Sequence, residues 1–275
     1  MKNLLDNLKA WSTKHKVLSY IVKNTLLFIL AYFVLTNLFI FYSTVDNTKI
    51  GTINNCVIYT NDISCKEDIM RVMETCMMDL KEKNITVKSK IRIIFCTTPE
   101  QYNKKTLYLA KGSLGSNRTM INLILLAPAD YKNNIQNKSD ENLINRKLSD
   151  AVMHEITHTY IKEQTSFFKN LYLQLFMKWK SEGFCDYIAN SSSLNISDGK
   201  RIFIENGEEQ KQIQATKDIW YYTYFYFTSR LKADYLFSYK KISFDEFFST
   251  KFDETALENE IREKLLSGEY VFNKQ

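Results

Sequence analysis

Asp150-Ala151-Val152-Met153-His154-Glu155-Ile156-Thr157-His158-Thr159-Tyr160-Ile161 is the stretch on which the reading of this chain turns. Its apolar residues recur at helical spacing, and on a helix of about 3.6 residues per turn His154 and His158 stand one turn apart on the same side. The chain has only three histidines, so finding two at this spacing is selective. Paired neutral imidazoles suit a zinc ion, which at a catalytic site takes three protein ligands and leaves a fourth position for water. Glu155 lies beside the pair, where its carboxylate can take a proton from that water. A solvated polar face would supply the same residue types. Here, however, Ala151, His154, His158 and Ile161 share one side while Val152, Ile156 and Tyr160 lie elsewhere, so the histidine side is not simply the polar one.

A third ligand is expected downstream, where Trp179-Lys180-Ser181-Glu182-Gly183-Phe184-Cys185-Asp186-Tyr187 follows. With His154-Glu155-x-x-His158 before it, this segment resembles the Trp-x-x-Glu-Gly segment of gluzincin metallopeptidases, in particular the peptidase MA-like group. The resemblance implies that Glu182 completes a zinc site with His154 and His158, and that Glu155 is the catalytic base. Ser181 has the chemistry of an N-cap, which would start a helix at Glu182, and Asp186 four residues on would face the same way. The Glu-x-x-x-Asp spacing is similar to that of thermolysin-like enzymes, in which the aspartate accepts a hydrogen bond from a zinc-bound histidine. That assigns Asp186 to His154, fixing the imidazole's tautomer.

The resemblance covers about residues 90–232 and is specific only at these two segments. Ile161 and Gln164 stand where a metzincin has Gly and His, and no Gly-x-Met-x-Asn segment precedes the helix, which argues against the corresponding aminopeptidase branch. Peptide hydrolysis also needs a donor for the developing oxyanion. The run Trp220-Tyr221-Tyr222-Thr223-Tyr224-Phe225-Tyr226 resembles the tyrosine-bearing helix of MA-like peptidases, with Tyr221 the first choice and Tyr222 and Tyr224 behind it. The strand expected over Thr119–Pro128 could offer an edge to an extended peptide.

Around these segments, Cys56–Thr60 and Lys90–Cys96 read as further strands, and Lys66–Lys83, Pro99–Lys111, 146–163, 181–190, 216–232 and 244–250 carry helical spacing. The expected architecture is α+β: a zincin-like domain over 43–275 with a small sheet followed by a mostly helical half. Of 37 Lys and Arg, five precede residue 43 beside the single acid Asp6, leaving 32 basic against 30 acidic side chains beyond it. A domain so close to neutral gives no electrostatic reason to seek nucleic acid.

Thr25–Tyr42 contains no charge and, with Val17–Val22, is long enough for a spanning helix, longer than the apolar core of a cleaved signal peptide. The expectation is a cytoplasmic segment over 1–16 and an anchor over 17–42. Lysines before the span place the N-terminus in the cytoplasm and the catalytic domain outside, in a single-pass cell-membrane arrangement. Cys56, Cys65, Cys76, Cys96 and Cys185 make an odd set without a Cys-x-x-Cys pair, so a cysteine zinc site is not expected. The reading is therefore a membrane-anchored zinc peptidase acting on peptide or protein substrates. Its rival is a non-catalytic zinc-binding or scaffolding module of the same fold, for which Glu155 would have no use.

Overall fold

The computed structural model describes residue 6 and residues 16–43, 46–110, 113–118, 121–136, 146–191, 194–205 and 219–272. The chain divides into two compact units, Met1–Asp46 and Asn47–Gln275.

The first unit is built on helix α1 (Lys16–Ser43). Among the described residues no helix is long and apolar enough to cross a membrane. This overturns the expected anchor over 17–42, and with it the single-pass placement with a cytoplasmic N-terminus and an outer catalytic domain. The apolar run is interrupted in α1 by Lys23, Asn24 and Asn37, polar groups of the kind that weigh against insertion. Asn37 turns its amide back onto its own helix, donating to the Phe33 carbonyl.

The second unit is α+β. Strands β1 (Thr48–Ile53), β2 (Cys56–Thr60) and β3 (Ile91–Phe95) enclose helix α2 (Lys66–Glu82) in sequence, and helix α3 (Pro99–Lys105) leads to β4 (Gly115–Arg118) and β5 (Leu123–Leu126). The five form a mixed sheet in the order β1-β2-β3-β5-β4. The parallel trio β2, β3 and β5 lies inside it, and β1 and β4 run antiparallel at the edges. The interior strands are rich in aliphatic residues because both their faces are largely covered, with Tyr59 and Arg92 half-buried; Leu123–Leu126 is buried throughout. Helix α2 supplies Ile69, Val72, Met73, Cys76 and Leu80 to the core at three- and four-residue spacing.

A two-stranded ribbon, β6 (Ile135–Gln136) with β7 (Arg146–Lys147), then delivers the chain into helix α4 (Leu148–Gln164). Asn134, in the left-handed region at φ 55°, caps that helix by accepting from the Ser149 amide through Oδ1 at 2.8 Å. Helix α4 is buried on nearly every side, packed on α2 and on β4 and β5. Helices α5 (Phe167–Phe176), α6 (Lys178–Ala189), α7 (Ile196–Glu205), α8 (Ile219–Asp234), α9 (Phe244–Ser249) and α10 (Glu254–Leu266) complete the unit. Helix α6 packs between α4 and α8. A side chain at Gly183 would collide with the Ser229 carbonyl, so the glycine after Glu182 is what lets the α6 and α8 backbones approach this closely.

The strand expected over Thr119–Pro128 is shorter, and it is β4, not β5, that forms the sheet edge. The residues 119–120 of that expectation lie outside the described residues. The five cysteines are free thiols.

Candidate metal centre

Helices α4 and α6 each contribute one face to a buried polar cluster. His154 Nε2 lies 3.2 Å from His158 Nε2 and 3.2 Å from Glu182 Oε2, and His158 Nε2 lies 3.6 Å from the same oxygen. Zinc bonds of about 2.0–2.2 Å to nitrogen and oxygen give tetrahedral ligand-to-ligand edges of about 3.4 Å. The three atoms therefore already stand at the spacing that one such ion requires.

Each imidazole is held from behind. His154 Nδ1 is 2.8 Å from Asp186 Oδ1; an ionised carboxylate only accepts, so Nδ1 carries the proton and Nε2 faces the cluster. His158 Nδ1 is 3.2 Å from Ser181 Oγ. Ser181 is thus not a helix cap: α6 begins earlier, at Lys178, and places this hydroxyl inside the helix, under His158. Asp186 is held in turn by Arg146 at the end of the β6–β7 ribbon, whose Nη2 donates to the same Oδ1 at 3.0 Å.

The electrostatics of the cluster favour a positive charge within it. Burial favours neutral His154, but the charge and hydrogen bond of Asp186, with Glu182, outweigh it and lift its pKa to about 10. Burial pushes the Glu182 carboxyl up, yet His158 and His154 hold it well below the usual range. Asp186 is lowered likewise, burial being outweighed by His154 and Arg146. Two buried carboxylates thus stay ionised around a proton on His154, a positive charge standing where a cation would. Glu155, 9% exposed, has its pKa raised by burial despite the two histidines. Its carboxylate lies against Gly115 at the start of β4: a Cβ there would meet Glu155 Oε1 at 2.6 Å.

The expected site residues His154, Glu155, His158, Glu182 and Asp186 are brought together by this packing. The side chains of Tyr221 and Tyr222 lie outside the described residues, and Tyr224 is half-buried. Among the described side chains of that run, Tyr226 lies beside the cluster, its ring centroid 6.4 Å from that of His154. Cys185, Arg146 and the hydroxyl of Ser181 were not singled out for the site. His154, His158 and Cys185 also form a group that could hold a metal ion, their ligand atoms lying within 4.8 Å of one another. Burial, reinforced by Glu182, Asp186 and Glu155, pushes the Cys185 thiol well up and opposes the thiolate. Comparison of the chain with protein-family models, curated proteins and solved structures returns no match.

Proposed function

We propose that the chain is a zinc-dependent peptidase of the gluzincin kind, with His154, His158 and Glu182 holding the ion and Glu155 serving as base. The observation that carries this reading is the convergence of two imidazole nitrogens and one ionised carboxylate oxygen at edges of 3.2, 3.2 and 3.6 Å. Bound there, zinc supplies Lewis-acid polarisation of a substrate carbonyl and acidifies water.

The chain's own residues do the rest. Asp186 keeps the proton of His154 on Nδ1, leaving Nε2 as a ligand, and Ser181 Oγ can accept from His158 Nδ1 in the same way. Glu155, enclosed and raised in pKa, accepts a proton from water at its carboxylate and returns it to the leaving amine. Tyr226, whose ring lies beside that of His154, is a phenol that could offer the oxyanion a donor. The outer edge of β4 beside Glu155, unpaired among the described residues, suits an extended peptide bound mainly through main-chain hydrogen bonds.

One observation favours a second reading, a closed metal module without activity: Cys185 Sγ is near enough to serve as a further ligand. The raised thiol pKa and the presence of a base at Glu155 weigh for the first. The two part company in the full chain studied beside Glu155→Gln, by metal content and by cleavage of casein and a peptide library. Near-stoichiometric zinc in both, with cleavage by the parent alone, is the expected result. Zinc without cleavage in either protein would transfer the case to the closed module, and absence of zinc would end both.

A further inference from the structure

Strand β4 begins at Gly115, against the Glu155 carboxylate, and ends at Arg118. Successive side chains on a strand point to opposite faces. Asn117 reaches α4, its Nδ2 donating to the Glu155 carbonyl at 2.6 Å and to Thr159 Oγ1 at 3.0 Å, so Arg118 belongs to the other face. There it is half-buried, within the electrostatic reach of the Tyr102 phenol and Glu155.

Among the described residues, two polar atoms of these consecutive residues are enclosed without a hydrogen-bond partner, Asn117 Oδ1 and Arg118 Nε. Among the described residues no carboxylate forms an ion pair with the Arg118 guanidinium, although Arg71, Arg146 and Arg201 each have one. Taking a guanidinium out of water is unfavourable, and burial acts against this cation more than the favourable fields of Tyr102 and Glu155 restore it. An acceptor unsatisfied on one face and a guanidinium Nε unsatisfied on the other, on the outermost strand of the sheet among the described residues, describe a strand completed by something bound along it. The occupant that answers the cation is an anion with planar oxygens, which a guanidinium grips with two parallel N–H groups.

We infer that Arg118 is a substrate subsite for a carboxylate, either an acidic side chain or a free C-terminus, seating an extended peptide along β4. This deepens the peptidase reading and rests on it. Arg118 is three residues from Gly115, roughly 10 Å along the strand, so the favoured acid lies about three residues from the scissile bond. An extended peptide pairing with β4 presents that side chain on the face Arg118 occupies.

The test uses the full zinc-loaded chain and internally quenched decapeptides in which Glu, Gln or Lys is placed at each position in turn, with free or amidated C-termini. The parent is expected to prefer Glu over Gln at one position about three residues from the cut, by roughly ten- to a hundredfold in kcat/KM. Arg118→Gln should abolish that preference, Arg118→Lys should keep part of it, and Arg118→Glu should turn it towards Lys, an inversion that damage to the fold would not produce. If amidation removes the preference, the recognised group is the C-terminal carboxylate; if amidation leaves it, the group is a side chain. A preference in Arg118→Gln equal to the parent's overturns the inference, as does a parent indifferent to charge. Should the parent cleave none of the peptides, fluorescence anisotropy of fluorescein-labelled copies separates the two ideas. Arg118-dependent binding of the acidic peptides would retain the subsite while the peptidase reading falls, and binding blind to Arg118 would remove both.

Discussion

Gly115→Ala isolates Glu155 without touching the proposed metal ligands. The added methyl would sit 2.6 Å from Glu155 Oε1, 2.9 Å from its Cγ and 3.0 Å from its Cδ. Ordinary carbon contacts are about 3.5 Å or longer, so the outer half of the Glu155 side chain must retreat by nearly 1 Å. Glu155 is enclosed by α4 and the sheet, so it cannot simply swing into solvent. Displacing a reacting group by about 1 Å can cost on the order of a hundredfold in rate, about 2.7 kcal/mol of transition-state stabilisation. The strand itself should gain slightly, because replacing glycine in a strand removes an entropic cost of roughly 0.5–1 kcal/mol. The expected outcome is a protein with unchanged zinc content, a thermal midpoint moved by no more than a few degrees and a kcat about a hundredfold lower. Metal analysis, a thermal melt and steady-state cleavage of one quenched peptide measure all three. In a Glu155→Asp background, where the carboxylate is already drawn back by one methylene, the same substitution should cost much less. Full turnover in Gly115→Ala would refute the placing of the base at this carboxylate, and loss of zinc would show that the effect runs through the ligands instead.

Arg146→Ala should weaken zinc binding by about tenfold, because Asp186 loses the guanidinium that shares its Oδ1 with His154. Competition with a chromophoric chelator measures this, and the same substitution added to Asp186→Asn should change little; fully additive losses would show that Arg146 acts elsewhere. Asp150→Asn tests a pH-linked cost in the first turn of α4, where burial raises the carboxyl to about 6. The folded protein binds a proton there that the unfolded chain releases near its ordinary value of 3.8, so this group's contribution is fully present below that value and is lost as pH rises through about 6. At pH 7.5 the variant should be the more stable, by on the order of 3 kcal/mol at most, and near pH 4 the two should coincide. Urea titrations at the two pH values decide it, an equal difference at both ruling out Asp150 as the source.

What could be read from the sequence was whatever a local period encodes. The aliphatic runs around Ile58, Ile93 and Leu125 gave strands, the spacing of Ile69, Val72, Met73, Cys76 and Leu80 gave α2, and the four-residue step from His154 to His158 put two imidazoles on one side of α4. Strand β4 escaped notice because Gly-Ser-Asn-Arg has no strand propensity; its conformation comes from pairing with β5 and from Asn117 anchoring it to α4. The long apolar N-terminal run was over-read, since length outweighed the lysines and asparagines within it.

The cluster's remaining members depend on where helices meet, which no period records. Helix α8 carries aromatic residues around much of its circumference, so its sequence alone does not say which tyrosine turns towards the histidines. That choice follows from the phase at which α8 meets α6, and Gly183 permits the contact, because any larger residue would strike the Ser229 backbone. Ser229 lies three residues beyond Tyr226, so the contact that seats one helix on the other also sets Tyr226 near His154. The glycine beside Glu182, visible in the sequence as part of a motif, is thus a packing requirement whose reason lies far downstream, at Ser229. Replacing it would separate the phenol from the imidazole while leaving every candidate ligand in the chain.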